Sequence, residues 1–265
     1  YIVPHGEWNT FMSLYWNDIV EKNKTEYLTE KQLSTEMSPI AVDLDLHFNY
    51  DLDERVYSQE HLDDLVDVYL AELKDMFCFD ENTTFPIFLF EKSKVNRVKD
   101  KNITKDGIHM IIGVQMKHDV QEILRKNVIP KVQEIWGDFP ITNTWNDVFD
   151  EGITKGYTNW QLYGSCKPHH EAYKLTNVYE ISYDEDDGEL INNRGDPNTY
   201  LSCDKFSMLS VRYPDHLNLL YNQSFLEKMG NKSNTPRGKS NARKFTFDGS
   251  SSGSSDISQI KNADE

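Results

Sequence analysis

The stretch Pro39-Ile-Ala-Val-Asp-Leu-Asp-Leu-His-Phe48 decides how the rest of the chain is read. Strict alternation places Ile40, Val42, Leu44 and Leu46 on one face of a strand and Ala41, Asp43 and Asp45 on the other. Two carboxylates on one face repel each other unless a cation or a partner neutralises them. An oxygen-only pair of this kind suits a hard divalent ion such as Mg²⁺ or Mn²⁺. The same pattern also suits a strand edge that ends in solvated acids, and the downstream segments decide between the two readings.

Working outward, two further segments follow the same grammar. Lys105-Asp-Gly-Ile-His109 runs into the apolar stretch Met110-Ile-Ile-Gly-Val114, so a polar turn leads into a strand with a histidine at its start. Val148-Phe-Asp150 precedes Asn159-Trp-Gln-Leu-Tyr-Gly-Ser-Cys-Lys-Pro168, which ends in a Gly-Ser-x-Lys turn. Three acids, a histidine and lysines beside a small-residue turn are the set a nucleotidyl transferase needs. Carboxylates serve two metals, while cations and backbone amides serve a triphosphate.

In their order, these motifs resemble the archaeo-eukaryotic primase superfamily. The likeness is to the primase-polymerase clade and to the primase domains of giant-virus primase-helicases of the poxvirus D5 type. Its DxD motif is matched by Asp43 and Asp45, and its Ser-x-His motif, with a lysine two residues before the serine, by Lys105, Gly107 and His109. Gly107 departs from the pattern. A long third motif is matched by Asp150, Gly152, Asn159, Trp160, Tyr163, Gly164, Ser165 and Lys167. The likeness extends over roughly residues 35 to 215, and three motifs in order are far more specific than any one alone.

The resemblance implies an α/β (α+β) fold, with an RRM-like mixed-sheet catalytic core and an N-terminal α/β unit. It implies Asp43, Asp45 and Asp150 as ligands for two divalent ions, Mg²⁺ or Mn²⁺. His109 and Lys167 would neutralise the β- and γ-phosphates of an NTP or dNTP, with Lys105 as a helper. Gly107, Gly164 and Ser165 would line the phosphate site. The expected activity is that of a DNA primase or primase-polymerase working on a single-stranded DNA template in viral DNA replication, with a helicase domain in the same natural chain. Trp160, Tyr163 and Tyr173 are expected mainly in the core, and His47, His118, His169 and His170 outside the chemistry.

A length of 265 residues with 38% hydrophobic content suffices for one large domain or two lobes. No apolar run reaches transmembrane length, and no charged-then-apolar leader opens the sequence, so no membrane is expected. Cys78, Cys166 and Cys203 lack zinc or disulfide spacing, which points to a reducing, intracellular setting: host cytoplasm or viral factory, if viral. A net charge of −16 excludes a bulk electrostatic grip on nucleic acid and leaves a weak, local one. Bases gather at Lys92, Lys94, Arg97, Lys99, Lys101 and Lys105, and again from Lys232 to Lys244. The first cluster either lines the site or forms an exposed loop.

Hydrophobic periodicity predicts helices over 6–22, Glu60–Phe77 and His118–Trp136, the last interrupted at Pro130. Strands are expected at about 39–47, Phe85–Phe90, Ile108–Val114, Trp160–Gly164 and Tyr173–Tyr183. The catalytic domain is expected over 1–230. Residues 231–265, with Gly249-Ser-Ser-Ser-Gly-Ser-Ser255, read as a flexible polar linker leading to the helicase. Two other classes remain. A glycosyltransferase with its own DxD would not need His109 or the Gly-Ser-x-Lys turn. A primase-like domain that only binds template or a helicase would keep the fold without the reaction.

Overall fold

The computed structural model describes residues 2–233. After α1 (Trp8–Trp16) and a short π-helical turn come β1 (Thr29–Glu30) and the DxD strand β2 (Met37–Asn49). There follow α2 (Gln59–Met76), β3 (Thr84–Glu91), β4 (Asn96–Val98), β5 (Ile103–Lys117) and α3 (His118–Trp136). Then come α4 (Trp145–Val148), α5 (Glu151–Thr154), β6 (Trp160–Gln161), β7 (Lys174–Asp184), β8 (Glu189–Gly195), α6 (Pro197–Tyr200) and α7 (Gln223–Ser233).

The main sheet runs β2-β5-β3-β7-β8, with β4 pairing the start of β5; β1 and β6 form a separate pair. The α+β class is as expected, but every strand pair is antiparallel, and parallel geometry is limited to isolated bridges such as Glu26 with Ser165. Alternation in β2 does what the sequence promised. Ile40, Val42, Leu44, Leu46 and Phe48 join Ile87, Leu89, Ile108, Met110 and Ile112 under α2 and α3. On the opposite face Ala41, Phe88, Phe90, Ile111 and Val178 meet Met12, Tyr15 and Ile19 of the N-terminal helical segment and Trp160, Leu162 and Tyr163. Each face buries a core, and the acids of β2 stand beyond the second one.

Several boundaries differ from expectation. β5 is longer than its apolar run because Ile103–Lys105 pair with β4 and Ile103–Asn49 closes the ladder with β2. α3 continues through Pro130, whose ring is exposed; the carbonyl that it leaves without a donor belongs to the exposed Lys126. β8 was not foreseen; Asp184–Asp187 carry the end of β7 into the hairpin turn that leads to it. α7 carries the chain past residue 231, and the rest of the expected linker, with its basic residues from Arg237 to Lys244, lies outside the described residues. No helix among the described residues is long and apolar enough to cross a membrane.

A buried carboxylate staples β1 to the C-terminal loops. Glu30 accepts hydrogen bonds from Ser210 Oγ and, at 3.1 Å, from Val211 N, and burial pushes its pKa up to about 7. A folded-state pKa above the unfolded one gives stability that is present in acid and lost as pH rises through about 7. Melting temperature is therefore expected to fall between about pH 4.5 and about pH 7 and to level off above that, and Glu30→Gln to remove part of that fall. An identical pH slope in the variant would assign the loss to other groups.

Candidate active site

The site begins with pairing on the second sheet face. Asp43 lies opposite His109 and Asp45 opposite Gly107 in the β2–β5 ladder. His109 Nε2 stands 3.5 Å from Asp43 Oδ1. Asp150 joins them because its backbone N–H donates to the Asp43 carbonyl at 2.9 Å, next to a bridge between Leu44 and Phe149. Its carboxylate caps α5, accepting from Ile153 N at 2.9 Å. Asp147, by contrast, is turned to Thr144. Gly152 is required because a Cβ there would fall 2.4 Å from Thr158 Oγ1.

The charge balance is uneven. Burial first, then the charges of Asp150 and Asp45, push the Asp43 pKa up to about 7, against the pull of Lys167 and Lys105. Asp45 is paired with Lys105 at 2.6 Å and with His47 at 3.2 Å. Burial and the nearby Lys92 and Lys167 depress the His109 pKa to about 3. His109 is thus neutral before any anion arrives, and offers an N–H where the sequence reading had assigned a charge. Its ring is held between Tyr173, stacked at 3.6 Å between centroids, and Trp160 at 4.7 Å.

The Gly-Ser-x-Lys turn divides its work. Gly164 sits at φ +79 with Ile19 so close that a Cβ would come within 2.3 Å of it. The Ser165 hydroxyl is 1% exposed, lies 2.7 Å from Tyr15 Oη and accepts from Leu28 N at 3.0 Å. Gly164 and Ser165 therefore build the turn, and the Ser165 hydroxyl expected at the phosphates is turned inward to Tyr15 of α1 and to Leu28, just before β1. Lys167 is exposed, and its side chain makes no hydrogen bond or ion pair among the described residues, while Asp43, His109 and Lys92 all feel its charge.

Sequence reasoning left Lys92 in a basic run that either lines the site or forms an exposed loop, placed Tyr173 mainly in the core and put His47 outside the chemistry. Lys92 follows β3 directly, its ammonium 4.6 Å from the Tyr173 ring centroid. Burial and Lys167 lower its pKa, against the pull of Asp43. Its position in a basic run hid it, because Lys105 reaches the acids while Arg97 bonds the Tyr50 carbonyl. His118 bonds the Thr154 carbonyl, and His169 and His170 stand exposed on a loop.

Hard oxygen donors and an excess of negative charge at Asp43 suit divalent magnesium or manganese. Among the described residues no three His, Cys, Asp or Glu side chains are grouped closely enough to hold a metal as they stand. Asp45 would have to leave Lys105 and His47, and Asp150 its cap. The chemistry fits; the side chains are engaged elsewhere.

Residues 1–179 match the family described as C962R protein N-terminal AEP domain, AEP denoting the archaeo-eukaryotic primase type. The match takes in the N-terminal segment that the motifs left out and ends within β7. The chain is also 26% identical, over 260 residues, to a protein of Acanthamoeba polyphaga mimivirus that carries a helicase name, L207/L206. That similarity takes in 93% of this chain and 26% of the relative, so the chain spans about a quarter of its relative's length.

Proposed function

The chain belongs to the C962R-type archaeo-eukaryotic primase family, and on that premise we propose that it catalyses template-directed nucleotidyl transfer on single-stranded DNA, as a primase or primase-polymerase in viral genome replication. The observation that carries this reading is the ring around Asp43, in which Asp45, Asp150, His109, Lys92, Lys105 and Lys167 gather at one sheet edge. Two divalent ions of the magnesium or manganese type, held by Asp43, Asp45 and Asp150, would neutralise phosphate charge and lower the pKa of the attacking 3′-hydroxyl. His109, neutral and clamped between rings, donates its N–H to a phosphate oxygen. Lys167 and Lys92 bring the positive charge that an NTP or dNTP requires. Because the relative is much longer and carries a helicase name, the natural protein would hold a helicase beyond this domain, placing both activities on one strand.

The alternative, a template-binding platform without catalysis, is favoured by one observation: Asp45 and Asp150 are already occupied by Lys105, His47 and the cap of α5. Incorporation of labelled nucleotide on a single-stranded template, dependent on added Mg²⁺ or Mn²⁺, separates the two. Lys167→Ala is expected to reduce incorporation by roughly tenfold or more, mainly through KM, without lowering the melting temperature. Wild-type kinetics in that variant would reject the assignment of Lys167, and no incorporation by the wild type would favour the platform.

A further inference from the structure

Gly107 stands where the resembling motif has a serine, and the structure shows what occupies the vacant place. A Cβ at 107 would lie 2.2 Å from Tyr173 Oη, 3.3 Å from the Leu44 carbonyl oxygen and 3.4 Å from Tyr173 Cζ. The first distance is nearer a covalent bond than a contact, so Tyr173 and any side chain at 107 exclude each other. A hydroxyl that could have come from β5 comes instead from the opposite wall, just before β7.

The phenol is held on both sides. Its ring lies on the His109 imidazole at an interplanar angle of 19°, and the Lys92 ammonium stands over it. The hydroxyl makes no hydrogen bond among the described residues, although Asp43, Asp45 and Asp106 are near enough to be felt. Burial, followed by those carboxylates, raises its pKa well above the usual tyrosine value, so the O–H keeps its proton throughout the neutral range. An unpartnered donor whose ring carries the Lys92 ammonium, among carboxylates that the proposed metal ions would neutralise, is complementary to an anionic oxygen.

Building on the nucleotidyl-transfer reading, we propose that Tyr173 is a nucleotide-binding residue whose O–H donates to the phosphate chain of the incoming nucleoside triphosphate, filling from the segment just before β7 the place that Gly107 leaves open on β5. Gly107 and Tyr173 then form one exchangeable unit. Tyr173→Phe keeps the ring stack and removes only the donor. It also removes the 2.2 Å clash, leaving the Leu44 carbonyl oxygen at 3.3 Å and the ring carbon at 3.4 Å to give by a few tenths of an ångström so that Gly107→Ser restores a hydroxyl at the same spot.

The test is equilibrium binding by the full chain of a non-hydrolysable nucleoside triphosphate and, separately, of inorganic triphosphate, both with Mn²⁺. Tyr173→Phe is expected to bind each about tenfold or more weakly, the usual effect of losing a hydrogen bond to a charged group. Gly107→Ser/Tyr173→Phe is expected to recover most of that loss, and Gly107→Ser alone to melt lower and recover nothing. Undiminished binding by Tyr173→Phe overturns the proposal while leaving nucleotidyl transfer standing. A loss for the nucleotide but not for inorganic triphosphate moves the contact to sugar or base and overturns the phosphate assignment. Absence of triphosphate binding in the wild type overturns both readings.

Discussion

Asp43→Asn is expected to abolish nucleotide incorporation and, above neutral pH, to raise the melting temperature of the same protein. The loss should be roughly a thousandfold or more, because several kcal/mol of charge stabilisation go with the carboxylate. The gain follows from the opposite sign of the same charge. Burial and the carboxylates of Asp150 and Asp45 hold the Asp43 pKa near 7. A raised folded-state pKa means that stability is present below the unfolded value and is lost as pH rises through about 7. Asparagine keeps the neutral shape at every pH, so the difference should be nil in acid and reach on the order of 1 kcal/mol or more above pH 8. Added Mg²⁺ or Mn²⁺ should stabilise the wild type and not the variant, closing the gap. Thermal melts across pH, with and without the ion, run beside the incorporation assay. Retained activity, or a pH-independent difference in melting, would count against Asp43 as the central charge.

Arg55→Ala is expected to cause the largest loss of stability, although Arg55 lies on the other side of the sheet from the candidate chemistry. Its guanidinium donates to Asp106 at 2.8 and 3.1 Å, to Glu91 at 2.7 Å and to the Lys92 carbonyl at 2.7 Å. The Asp106 and Glu91 side chains are 1% and 7% exposed. Glu91 also accepts from Tyr57 at 2.9 Å and from Thr176, and Asp106 from the amide of Gly107 at 3.0 Å. Removing the cation strands two buried carboxylates, which typically destabilises by about 3–5 kcal/mol, or roughly 10 °C in a domain of this size. Arg55→Lys should rescue little, since an ammonium cannot fork to two acids and a carbonyl. Adding Asp106→Asn and Glu91→Gln to Arg55→Ala should recover much of the loss, because neutral amides need no counter-charge. A melting temperature within about 2 °C of wild type in Arg55→Ala would mean that water already neutralises the acids.

These two residues also mark how far the sequence could be read. Asp43 was legible because a period of two, apolar on one side and acidic on the other, has few physical explanations. His109 and Asp150 were legible through spacing within motifs. Arg55 was not, because it sits in the polar loop after β2 and its partners are 36 and 51 residues away. The two acids it joins fall inside apolar strands, where each looks like an irregularity. Ser165 shows the opposite failure. The motif identified a turn correctly, yet the direction of a hydroxyl depends on Tyr15 and Leu28, which no local pattern reveals. Tyr173 lay hidden for a related reason: its meaning depends on an absent side chain, and Gly107 reads alone as a mere departure. β8 was masked by composition, as polar edge strands alternate too weakly to stand out from a loop.

The bond between Tyr15 and Ser165 spans 150 residues, and that between Glu30 and Ser210 spans 180. Contacts so distant in sequence slow folding, since long loops must close before any of them is made. During synthesis, β2 can pair with β5 as soon as both have left the ribosome, but the wall carrying Lys167 and Tyr173 arrives later. The nascent domain therefore passes through a stage in which Asp43 and Asp45 are paired against β5 while Lys167 and Tyr173, the proposed triphosphate grip, are not yet in place. On the nucleotidyl-transfer reading proposed above, a half-made domain of this design would not hold a triphosphate until the wall before β7 is in place.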